Sequence, residues 1–142
     1  MEDGQALQGQ QTMLPHPRGY LTLAWGGLVC NALVIPLTVA FTVLEPTWRT
    51  TNIAVGAGAV LPAAVVGLIA SLALIRWRAW GQILAIVALA MDLAVGLPYG
   101  IVRMALLEQY RPLTAVLSGL LWVATTAALV YWCQPSIRRY LT

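Results

Sequence analysis

The sequence predicts an all-α membrane fold, a bundle of four transmembrane helices. Hydrophobic residues make up 60% of the 142-residue chain, against roughly 45–50% in an ordinary soluble domain. Charged residues contribute only 9%, where about 25% is usual. A soluble globule of this size leaves too much of its area in water to hide that much apolar surface, and disordered chains have the opposite composition. The apolar residues also fall into four continuous runs, each near the ~20 residues that a helix needs to cross a ~30 Å hydrocarbon core.

Residues 20–44 carry no charge, nor do residues 52–75; residues 81–102 carry one, Asp92, and residues 113–133 carry none. Membrane strands are shorter, about ten residues, and alternate in polarity. Helices also satisfy every backbone group internally, as lipid requires. Ahead of the first span, residues 1–19 open with Glu2 and Asp3 and continue Gln-rich with Pro15 and Pro17. No apolar core of a signal peptide follows the start, so this segment is expected to be a disordered cytoplasmic tail, and residues 20–142 a single four-helix domain.

All eight cations are arginines, scattered singly or in pairs at the ends of the apolar runs. Nucleic-acid binding needs a basic face that tracks phosphates, so no nucleic-acid partner is expected. With the N-terminus inside, Arg18, Arg76, Arg78, Arg138 and Arg139 fall on the cytoplasmic side, and Arg49, Arg103 and Arg111 on the outer side. By the positive-inside rule this bias predicts a multi-pass inner-membrane protein with both termini cytoplasmic. Tyr20, Trp25, Trp48, Trp77, Trp80, Tyr110, Tyr131 and Trp132 mark the span ends as interfacial anchors.

In lipid, helices associate through small residues spaced four apart. Ala59, Ala63, Gly67 and Ser71 form one such ridge in the second span; Ala88, Asp92, Gly96 and Gly100 form another in the third. Both are expected to pack within the bundle, with homo-oligomerisation or a larger membrane complex as the alternative. Pro36, Pro62 and Pro98 lie inside spans and are expected to kink them.

Asp92 is the residue that asks for a function. It lies at the midpoint of its span, about 15 Å from either surface by helical rise, where a carboxylate costs a few kcal/mol and must find a partner or water. Arg103 is about 16 Å further along the axis. Without a counter-ion at its depth the neutral acid is the expected form. Asn31, at matching depth in the first span, is the expected partner; Thr125 and Thr126 come next, and Tyr99 shares the Asp92 face. One reading is a proton- or cation-binding site. The other is a hydrogen bond that fixes bundle packing.

The loops offer Glu45 with Arg49, and Glu108 with Arg111, as local ion pairs. Catalytic patterns are missing from the sequence: the single histidine, His16, sits in the tail, and Gly56 and Gly58 lie in an apolar run without a phosphate-loop lysine. Neither an enzyme nor a cofactor or metal site is expected. Cys30 and Cys133 differ in depth by about 15 Å, too far to bridge, and both are expected to be packing residues.

The two halves echo each other. Leu44-Glu45-Pro46-Thr47-Trp48-Arg49 matches Leu107-Glu108-Gln109-Tyr110-Arg111 in its Leu-Glu, aromatic and Arg positions. Arg49 precedes Arg76 by 27 residues, as Arg111 precedes Arg138. Two repeated helical hairpins would produce this, although any four-helix chain has spans and loops of similar length.

Two stretches carry a resemblance. Arg76-Trp77-Arg78-Ala79-Trp80-Gly81-Gln82-Ile83-Leu84-Ala85-Ile86-Val87 resembles the entry into the third helix of small four-helix integral membrane proteins of high-GC bacteria. Gln134-Pro135-Ser136-Ile137-Arg138-Arg139-Tyr140 is similar to the tail of the same loose group. The resemblance implies the four-helix layout and carries over no established activity, and Asp92 departs from the pattern. The expected role is a non-enzymatic accessory or scaffold protein in a membrane assembly, with the lipid bilayer as first partner. The alternative is a small proton- or cation-coupled transporter acting as an oligomer with Asp92 as its intramembrane site. A cavity reaching Asp92 would favour the transporter, and dry burial the scaffold.

Overall fold

The computed structural model describes residues 17–106 and 111–141. Helix α1 (Tyr20–Leu44) is followed by α2 (Pro46–Ile75), α3 (Ala79–Leu106), α4 (Arg111–Trp132) and a short α5 (Pro135–Leu141). The described chain is all-helical, and its first four helices are long and apolar enough to cross a membrane. Most of the expected tail, including His16, and residues 107–110, which carry Glu108, Tyr110 and half of the internal echo, lie outside the described residues.

Helices run past the spans expected from hydropathy. Pro46 opens a tight turn, Pro46–Trp48, that passes straight into Arg49–Val55, so the expected loop before Asn52 is already helical. A proline suits a first helical turn, where its missing N–H costs nothing. At the other side α3 continues through Arg103 to Leu106. Apolar runs mark the depth of lipid, not the point where a backbone stops bonding to itself. Within α2, residues Gly56–Val60 form a π-helical segment in which the Leu61 N–H donates to Gly56 O. Pro62, next in line, has no N–H for Gly58 O, and the wider turn absorbs that gap. Pro36 and Pro98 are carried inside α1 and α3.

Each long helix packs on its neighbours in sequence, α1 on α2, α2 on α3, and α3 on α4. The α1–α2 contact uses the predicted ridge: a Cβ at Gly67 would overlap the Asn31 amide, and one at Gly27 would stand 2.9 Å from Ser71 Oγ. Ala63 is buried in the same ridge. In the second ridge, Ala88 is buried and Gly100 abuts the Trp122 ring, whereas a Cβ on Gly96 would meet nothing within 4 Å.

The core lies at the end of the bundle that carries Tyr20. Tyr20, Ala24, Ala70, Leu74, Ala85, Trp132 and Ile137 form one buried cluster, so α5 folds back to plug this end. Tyr20 and Trp132 are therefore core residues. Tyr20 stacks on Trp77 with ring centroids 4.6 Å apart, meets Trp132 edge-on, and donates its hydroxyl to Leu74 O at 2.9 Å. Gln82 Nε2 donates to Trp132 O, and the Tyr131 hydroxyl donates to Arg18 O at 3.1 Å. Both cysteines, expected to be packing residues, are exposed. Depth along a helix says nothing of the direction in which a side chain points.

The α2–α3 turn has an unusual residue at its apex. Arg78 N–H donates to Ala73 O and Trp77 N–H to Leu74 O, the pairing of a Schellman helix ending, which normally places glycine at the left-handed position. Here Trp77 takes it, with φ 58°.

Candidate functional site

The opposite end of the bundle is built differently. Two reversals of direction make α1 and α3 parallel, so Glu45 at the end of α1 and Arg103 near the end of α3 emerge at one level. The Arg103 guanidinium donates to both carboxylate oxygens of Glu45, at 2.7 and 2.8 Å. This replaces the local Glu45–Arg49 pair expected from sequence: Arg49 is close in number, but Arg103 is close in space. Arg103 lies 5.8 Å from the Tyr99 ring centroid and 6.0 Å from that of Trp48. Its Nε is buried with no hydrogen-bond partner among the described residues.

Asn52, at the start of α2, joins the layer from the third side. It is 6% exposed. Its Oδ1 accepts from the Tyr99 hydroxyl, and its amide makes long contacts of 3.5 Å to Phe41 O and Glu45 Oε2. Glu45, Asn52, Tyr99 and Arg103 thus tie α1, α2 and α3 together at this end. Arg111 caps the end of α3 separately, donating to Met104 O and Ala105 O.

Beside this layer lies a cavity of about 890 Å³. Its walls come from α1, α3 and α4, with Pro46–Trp48, Ala59 and Val60 of α2, and it extends from Glu45, Trp48 and Arg103 down to Asp92 and Thr125. The buried core therefore lies at the Tyr20 end of the bundle and the cavity towards the Glu45 end. Small residues explain the room: Ala59 and Gly96 line the wall where larger side chains would fill it.

Asp92 lines this cavity and makes no hydrogen bond or ion pair among the described residues. Asn31 is not beside it: its Nδ2 donates to Gly27 O of its own helix at 2.7 Å, and the amide rests on Gly67. Asn31 shares Asp92's depth but faces α2, whereas Asp92 faces the gap between α1 and α4. Tyr99 does line the cavity with Asp92, yet its hydroxyl belongs to Asn52. Sequence reasoning passed over Glu45, Asn52 and Arg103 as members of one site. The available signal was a pair of opposite charges at the ends of two spans that run in the same direction. Set against known protein families, curated proteins and solved structures, the chain matches none.

Proposed function

We propose that the protein is a multi-pass membrane carrier of protons or cations, with Asp92 as its intramembrane site. One observation carries the reading: a cavity of about 890 Å³ reaches Asp92, whose carboxyl is unspent on any neighbour among the described residues. A carboxyl kept only to fix packing would bond across to another helix, because a buried polar group without a partner is costly. Five arginines against three put both termini in the cytoplasm in this reading, and the Glu45–Arg103 layer then faces outward. Reporter fusions that translocate at Thr142 would overturn that orientation.

The direct test is flux. The full chain, reconstituted in liposomes under an imposed pH gradient or potential, should pass protons or cations, and Asp92→Asn should abolish flux without lowering thermal stability. Equal flux in a folded Asp92→Asn protein would overturn the reading. An accessory or scaffold role draws on another observation: the most apolar stretches of α1 and α4 bury none of their residues inside the chain, leaving two faces for a second copy or a partner helix. Absence of any flux, with a defined protein copurifying in mild detergent, would favour that role.

A further inference from the structure

Resting on the carrier reading, we infer that the cargo is an amphiphilic organic cation: one positive centre on an apolar body, admitted between α1 and α4 and held at Asp92. Charge comes first. Among the described residues, three ionisable acids and bases line the cavity, Glu45, Asp92 and Arg103. Glu45 and Arg103 neutralise each other through two short bonds, so a cation arriving at Asp92 supplies the counter-ion that its depth lacks and meets one carboxylate with no competing base. A monocation complements it, and an anion does not, because the guanidinium is already engaged by Glu45.

Solvation selects among cations. A hard inorganic ion surrenders its water only to about six or more oxygen ligands. Around Asp92 the lining offers Met91, Leu93, Val95, Gly96 and Leu121, with hydroxyls from Thr125 and, farther along α4, from Ser118 and Thr114. That set cannot rebuild a hydration shell. A weakly hydrated organic cation needs no such shell, and aromatic faces attract it. Phe41 and Trp122 supply such faces along the wall, whereas the Trp48 and Tyr99 rings are already taken by Arg103. Size agrees: about 890 Å³ falls in the range of roughly 300–1,000 Å³ that holds drug-sized ligands, far more room than a proton uses. The route agrees as well, since α1 and α4 both wall the cavity while packing mainly on their sequence neighbours.

Equilibrium binding of tetraphenylphosphonium to the full chain in lipid nanodiscs tests this, with tetraphenylborate as the probe of equal shape and opposite charge. Saturable phosphonium binding should weaken at least tenfold in Asp92→Asn and return in Asp92→Glu, while the borate shows no Asp92-dependent binding. Phosphonium binding unchanged in Asp92→Asn, or borate binding as tight, would overturn the inference. Should phosphonium fail to bind while Asp92-dependent proton or potassium flux persists, the cargo class is wrong and the carrier reading stands. Asp92-dependent phosphonium binding without any flux would keep the site and end the carrier reading.

Discussion

Breaking the Glu45–Arg103 pair from each side measures what holds the Glu45 end of the bundle together. Arg103→Met keeps the apolar stem of the side chain and deletes the guanidinium. Both Glu45 oxygens then lose bonds of 2.7 and 2.8 Å, and the Asn52 amide at 3.5 Å is a poor substitute. Breaking a fully buried pair this way costs about 3–5 kcal/mol, and an exposed pair is worth about 0.2–1 kcal/mol. The Arg103 and Glu45 side chains are 17% and 29% exposed, nearer the buried limit, so a loss of about 2–3 kcal/mol is expected. Glu45→Gln should cost less, about 1–2 kcal/mol. Its amide oxygen still accepts one bond, and Arg103 keeps the Tyr99 and Trp48 rings. The double variant should therefore fall short of the sum by at least ~1 kcal/mol. Reversible unfolding in mixed micelles, followed by tryptophan fluorescence, measures all three variants on one scale. Additivity to within about 0.5 kcal/mol would refute the claim that the two residues hold this end as a pair.

Gly81→Ala should destabilise by about 1–3 kcal/mol, because the new methyl would stand 2.8 Å from Ala73 Cβ and 2.9 Å from Leu74 N, and backbone cannot step aside; the same unfolding assay reads it, and no loss would contradict the close α2–α3 contact. At position 77 the left-handed backbone makes a sharp comparison: Trp77→Gly should be more stable than Trp77→Ala by about 1 kcal/mol, although both lose the Tyr20 stack, and equal stabilities would deny strain at φ 58°. Tyr20→Phe keeps the stack but loses the bond to Leu74 O, worth about 1 kcal/mol; an unchanged midpoint would mean the hydroxyl is idle. Asp92→Leu should retain or gain stability, since no described bond is lost, and a fall beyond about 1 kcal/mol would reveal a partner that the structure does not contain.

Composition and four uninterrupted apolar runs together made the plan of four long apolar helices legible. Small-residue ridges were legible too: Gly67 and Ser71 meet α1 where close approach needs them. Azimuth was the missing quantity. Asp92 and Asn31 share a depth, yet depth leaves open which way each side chain turns around its helix, and α2 claims Asn31. The same gap hid the Glu45–Arg103 pair, separated by 58 residues, behind a nearer arginine. The π-helical segment Gly56–Val60 left only indirect traces, in two glycines and the proline that follows.

The serial packing of α1 on α2, α2 on α3 and α3 on α4 bears on how the molecule is assembled. Contacts between chain neighbours close short loops, which form quickly and at low entropic cost. Synthesis from the N-terminus then lets each hairpin settle against the one before it, without waiting for the rest of the chain. The Tyr20 cluster is the exception, because it needs Trp132 and Ile137 from the far end. Until those residues emerge, the buried seat of Tyr20 lacks two of its walls. Completion of the bundle is thus tied to the segment that carries Trp132 and Ile137, and a nascent chain truncated before Trp132 would expose an unfinished core to quality control.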